Sequence, residues 1–178
     1  MQLDSLADVI TSGLAPAAVL WQVCLQTEPC WLPETWKLGY GVFVLAAFSA
    51  LRLAKFNIDE TQTVEFCGLP TPAGSLLCAS LGMLWQQGAV ALSSDGVLLI
   101  AVLTSLLLVS PIRMFALKFH GFGWRGNEVR YLFLLASIVL IIILRTYAIP
   151  VIIVLYIVVS AVRWLCMRSG NPDKAPKA

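Results

Sequence analysis

Seventeen consecutive residues, Val9 to Leu25, carry no charge, and they follow directly on a short segment holding two acids, Asp4 and Asp8. A run of this kind can enter lipid only as helix, because there every backbone N–H and C=O must be satisfied within its own segment. Similar runs recur along the chain. They predict spanning helices over about Asp4–Leu25, Trp36–Lys55, Thr71–Leu92, Val97–Phe115, Val129–Leu144 and Ile149–Cys166, against a requirement of about 20 residues for ~30 Å of hydrocarbon. The expected fold class is therefore all-α, a polytopic transmembrane helical bundle with six spanning helices. Gly13 and Pro16 permit a kink and a close helix contact in the first of them.

Composition agrees: 59% of the residues are hydrophobic and 12% are charged, where soluble domains carry about 45–50% and roughly 25%. The amino end has no basic region before its apolar run, so it does not read as a signal peptide. Cys24, Cys30, Cys67, Cys78 and Cys166 form no CxxC or Cys/His metal spacing, and none is assigned a role. No glycine-rich phosphate loop, nucleophile elbow or HExxH is present. The bases follow membrane topology and form no solvent-facing patch, which argues against nucleic-acid binding.

Six alternating spans divide the twelve bases into two sets. Arg52, Lys55, Arg113, Lys118, Arg125, Arg130, Arg163, Arg168, Lys174 and Lys177 fall on one side, and Lys37 and Arg145 on the other. Basic loops stay in the cytoplasm. Asp4, Asp8, the loop at 56–70 and the loop at 118–128 are thus expected on one cytoplasmic face. Trp21, Trp31 and Trp36 surround the loop at 26–36 and mark the opposite interface. Residues 1–168 are expected to form one transmembrane domain, and 169–178 a disordered cytoplasmic tail.

Asp4 and Asp8 are four residues apart, so a helix sets their carboxylates one above the other on one face. Side by side where a helix enters lipid, they repel each other and resist desolvation unless a cation or proton relieves them. Hard divalent cations, Mg2+ or Mn2+, suit oxygen ligands. Asp4 also suits an N-cap, and acids suit a first helical turn. Arg52, Lys55 and Asn57 sit at a helix end on the same face, where they can pair with phosphate or carboxylate. Arg52 and Lys55 also read as positive-inside anchors, as do Arg113 and Lys118. His120 reads as a contact to anionic lipid.

The string Leu3-Asp4-Ser5-Leu6-Ala7-Asp8-Val9, with Ile10 to Ala17 behind it, resembles the second half of the CDP-alcohol phosphatidyltransferase signature, D-x2-D-G-x2-A-R-x8-G-x3-D-x3-D. Leu51-Arg52-Leu53-Ala54-Lys55-Phe56-Asn57, Phe66-Cys67-Gly68-Leu69-Pro70-Thr71-Pro72-Ala73 and Gly126-Asn127-Glu128-Val129-Arg130-Tyr131 narrow the resemblance to the phosphatidylserine synthases. The resemblance implies transfer of a phosphatidyl group from CDP-diacylglycerol to the hydroxyl of L-serine at the cytoplasmic face of a bacterial inner membrane. It implies that Asp4 and Asp8 are metal ligands and that Asp8 also takes the serine proton. It implies Mg2+ or Mn2+ as cofactor, Arg52, Lys55 and Asn57 as substrate-binding candidates, and a homodimer.

The first half of the signature, D-x2-D-G-x2-A-R, is not in this sequence. An intact protein of eight spans, and no turnover by the 178-residue chain alone, are therefore expected. A synthase using glycerol phosphate or inositol phosphate keeps the same aspartates. A transporter or structural membrane subunit with Asp4 and Asp8 on an ion path is the reading from a different class.

Overall fold

The computed structural model describes residues 2–30, 39–58, 65–115 and 127–170. It is mostly helical and divides into two compact units, residues 1–61 with 69–110, and residues 62–68 with 111–178.

The first unit begins with α1 (Gln2–Val9), which passes through a π-helical turn (Ile10–Leu14) into α2 (Ala15–Gln26). Ala15 N–H bonds to Ile10 O, five residues back, instead of four. The cause is local: Pro16 has no N–H, and its ring crowds the carbonyl four residues earlier, so the wider turn relieves an α-helix that would otherwise clash. The expected kink is this turn. A 3-10 turn (Tyr40–Phe43) leads into α3 (Val44–Ile58), followed by α4 (Thr71–Gln86) and α5 (Ser94–Val109). Pro16, Leu20, Val23 and Cys24 form a buried stripe at helical spacing on α2, and Val97, Ala101 and Leu108 do so on α5. Trp21 lies against Tyr40 and Phe43, with ring centroids 5.9 and 6.3 Å apart.

Two helices stop well short of their expected ends. α4 stops at Gln86 and not at Leu92, because Gly88 (φ 69°) turns the chain while Gln87, Gly88 and Ala89 donate to Met83, Trp85 and Leu84 carbonyls. α5 stops at Val109 and not at Phe115. Pro111 bars Ser110 from helical geometry, and Arg113–Phe115 is a strand, β2, paired antiparallel with β1 (Glu65–Cys67). Gly68, in the left-handed region at φ 77°, follows β1 and donates to Ile112 O at 2.9 Å.

At the other end of the first unit, Asp95 Oδ2 accepts from Cys30 N–H (2.7 Å), and Ser93 Oγ caps α5 through Gly96 N–H (3.2 Å).

The second unit holds the β1–β2 pair with α6 (Glu128–Leu144) and α7 (Ala148–Gly170), which are joined by a 3-10 turn (Arg145–Tyr147). Arg145 has φ 47°, rare for a non-glycine residue, and the chain reverses there. Phe133 of α6 meets Tyr156 of α7 edge-on at 5.9 Å, so the two helices fold back as a hairpin. α7 continues to Gly170, two residues into the segment read as a tail.

By length and composition two stretches can cross a membrane, Leu3–Gln26 and the Val129–Cys166 hairpin, and Ser94–Val109 is a shorter apolar helix. α6 exposes Leu132, Leu135, Ile138, Ile142 and Ile143, with Ile142 72% exposed. Apolar side chains exposed in a row like this mark a lipid or protein contact.

Candidate active site

All five residues singled out for the site, Asp4, Asp8, Arg52, Lys55 and Asn57, lie in the first unit. α1 runs antiparallel to α3, and two contacts show it. Gly13 packs on Ser49 and Ala46 so closely that a Cβ there would stand 2.9 Å from Ser49 Cβ and 3.2 Å from Ala46 Cα. Eight residues away on each helix, Asn57 Nδ2 donates to Ser5 Oγ at 3.0 Å. The aspartate-bearing helix therefore ends beside the C-terminal end of α3, and Asn57 is bonded to the residue that directly follows Asp4. Small residues permit this approach, because a glycine lets two helix backbones nearly touch.

Asp4 and Asp8 are both exposed. Lys55 and Asn57 are exposed as well. Arg52 is only 8% exposed, and its Nη1 donates to Thr71 Oγ1 at 3.3 Å. Thr71 opens α4 behind Pro70 and is itself buried. The three candidates on α3 thus do not converge on one point. Arg52 turns inward to the start of α4, and Asn57 reaches α1. Arg52 is an interior residue, not a freely snorkelling anchor.

The donor set fits part of a hard-cation site. Two carboxylates stand on one helical face beside a hydroxyl, all oxygen donors of the kind that Mg2+ and Mn2+ take. Among the described residues no group of three or more acids, histidines or cysteines comes together.

Reading the sequence did not single out Ser5, Ser49 or Thr71. Thr71 lies within the Phe66–Ala73 string and Ser5 within the aspartate string, but neither string says what the hydroxyl touches. Ser49 Oγ is fully buried and has no hydrogen-bond partner among the described residues, unlike Ser105 and Ser137, which bond back to carbonyls four residues earlier. Gly13 occupies the space in front of it. In the second unit, Asn127 is 1% exposed, and its Oδ1 accepts from Arg130 Nη1 at 2.7 Å, so this pair is an ordered element at the start of α6. Lys118 and His120, most of the basic loop at 118–128, and Trp31 and Trp36 lie outside the described residues.

No family model matches the chain. Curated relatives do, several of them named CDP-diacylglycerol–serine O-phosphatidyltransferase. The Bacillus subtilis protein is 30% identical over 120 residues, covering 67% of this chain and 60% of the relative. The Mycobacterium leprae protein is 40% identical over 123 residues, covering 64% of this chain and 38% of the relative. The Mycobacterium tuberculosis protein is 33% identical over 193 residues, covering 99% of this chain and 64% of the relative. The chain is similar to phosphatidylserine synthases over nearly its whole length. It spans about 60% of the length of the Bacillus relative and less than half of the Mycobacterium leprae one.

Proposed function

We propose that this chain carries part of the active site of an enzyme that transfers the phosphatidyl group of CDP-diacylglycerol to L-serine, giving phosphatidylserine and CMP. The observation that carries the reading is the Ser5–Asn57 bond. It joins the start of the aspartate helix to the helix end that bears Lys55 and Asn57, which supports a shared site there.

Asp4 and Asp8 would hold a divalent cation, Mg2+ or Mn2+. Bound there, such an ion neutralises phosphate charge and polarises the diphosphate. Asp8 accepts the proton of the serine hydroxyl as that oxygen attacks the phosphorus bearing diacylglycerol. The P–O bond to CMP breaks, and CMP leaves with the bonding electrons. Lys55, exposed at the same helix end, attracts the anionic nucleotide lipid. Arg52, held at Thr71, supplies fixed positive charge just inside the surface.

This chemistry joins a lipid to a water-soluble amino acid, so the site belongs at a membrane surface. We place the six helical segments as spans, with α1 and the end of α3 at the cytoplasmic leaflet of a bacterial inner membrane. The base distribution supports that orientation. Residues 1–168 then form one membrane domain, with a second copy of the protein as its partner.

The test supplies CDP-diacylglycerol and Mn2+ with labelled serine, glycerol 3-phosphate or inositol phosphate to the protein expressed from its native locus. Lipid product from serine alone is expected. Product from another acceptor would move the assignment to a sister synthase. Asp4→Asn and Asp8→Asn should each abolish product while the protein stays inserted and folded, and undiminished synthesis by both would end this reading.

A further inference from the structure

We infer that Asn57 is a positioning residue, latching the aspartate-bearing helix through Ser5, and does not bind the acceptor amino acid. The inference rests on the phosphatidyltransferase reading above and deepens it.

α1 is held to α3 at two levels. At Gly13 the backbones touch through a glycine, a contact that sets the distance between the helices but has no side chain to resist rolling. Ser5 and Asn57 are each eight residues from that contact, about 12 Å at ~1.5 Å per residue. Their 3.0 Å hydrogen bond is directional, so it sets what the glycine leaves loose, the rotation of α1 about its own axis.

The need for such a device is local. The π-helical turn Ile10–Leu14 begins two residues after Asp8 and contains the glycine pivot itself. Its wider ladder is a weaker coupling than α-helix. A carboxylate stands about 6 Å from its helix axis, the outer radius of a helix with side chains. Rolling α1 by about 20° would carry Asp4 and Asp8 roughly 2 Å at that radius, as far as a whole Mg–O bond of ~2.1 Å. The latch residue directly follows Asp4 and lies three before Asp8, so it acts where the displacement matters. A hydroxyl both donates and accepts, so the bond forms with either orientation of the Asn57 amide. An Asn57 committed to Ser5 is poorly placed to bind a soluble amino acid as well.

The experiment compares Ser5→Ala, Asn57→Ala, the double variant and Ser5→Thr in the protein expressed from its native locus. Mn2+ affinity is read from the EPR signal of free Mn2+ during titration, alongside the serine KM and thermal unfolding. The latch predicts that each alanine variant weakens Mn2+ binding about five- to ten-fold. The double variant should be no weaker than either single one, the non-additivity of a broken pair. The serine KM should hold, and Ser5→Thr, which keeps the hydroxyl, should retain Mn2+ affinity. A raised serine KM in Asn57→Ala with Ser5→Ala silent would make Asn57 an acceptor ligand and overturn the inference. Additive losses, or parental Mn2+ affinity in both single variants, would also overturn it. If the parent protein neither binds Mn2+ nor releases CMP on addition of serine, the functional reading itself fails, a distinct result.

Discussion

Substituting Gly13 by alanine tests the contact between the π-helical turn and α3. The new methyl would stand 2.9 Å from Ser49 Cβ, 3.2 Å from Ser49 Oγ and 3.2 Å from Ala46 Cα. Ordinary carbon contacts lie at about 3.5–4.0 Å, so the helices must part by roughly 0.5 Å or more. Ala46 Cα is backbone and cannot rotate away. Overpacking of this kind costs about 1–3 kcal/mol. Alanine returns up to ~1 kcal/mol over glycine in a helix interior, but less in a π-helical turn, so the overpacking wins. The expected net loss is about 1–2 kcal/mol in reversible unfolding of the detergent-solubilised protein. Two controls sharpen the test. A methyl at Gly41 meets only Leu98 Cδ1, the free end of a flexible side chain, so Gly41→Ala should cost little. Adding Ser49→Gly to Gly13→Ala removes two of the three close contacts and should recover at least half of the lost stability. Parental stability in Gly13→Ala, or a further loss on adding Ser49→Gly, would refute the packing argument.

Three further outcomes are expected. Thr71→Val keeps the shape of Thr71 but removes one acceptor of the buried Arg52 guanidinium, and it should cost about 1.5–3 kcal/mol in unfolding, the range for hydrogen bonds to charged groups. Gly68→Ala forces a left-handed residue at φ 77°, a strain of about 1–2 kcal/mol, with Gly68→Asn milder because Asn tolerates that region; equal stability of all three forms would contradict the assigned backbone. For topology, a membrane-impermeant maleimide applied to intact cells should label exposed Cys30 but reach exposed Cys166 only after permeabilisation, while buried Cys24 and Cys78 stay unlabelled in the folded protein. Labelling of Cys30 and Cys166 from the same side would overturn the proposed orientation.

The apolar runs, the carboxylate pair four residues apart and the uneven distribution of bases were legible in the amino-acid order, because each is a local property of spacing or composition. Pro16 likewise announced a distortion, although only the folded chain shows that it is a π-helical turn. The β1–β2 pair was not legible. Three-residue strands leave no usable periodicity, and their pairing joins segments far apart in the chain. Nor could any spacing place Arg52 on Thr71, or Ser5 on Asn57 fifty-two residues away. Hydropathy sorts residues between lipid and water, but every helix of a membrane bundle offers much the same apolar surface. Which helix lies against which, and at what rotation, is settled by shape: a glycine that lets two backbones meet, and a few polar groups that must find one another once they do. The aspartates were visible from the sequence, and the tertiary structure alone decided what holds them in place.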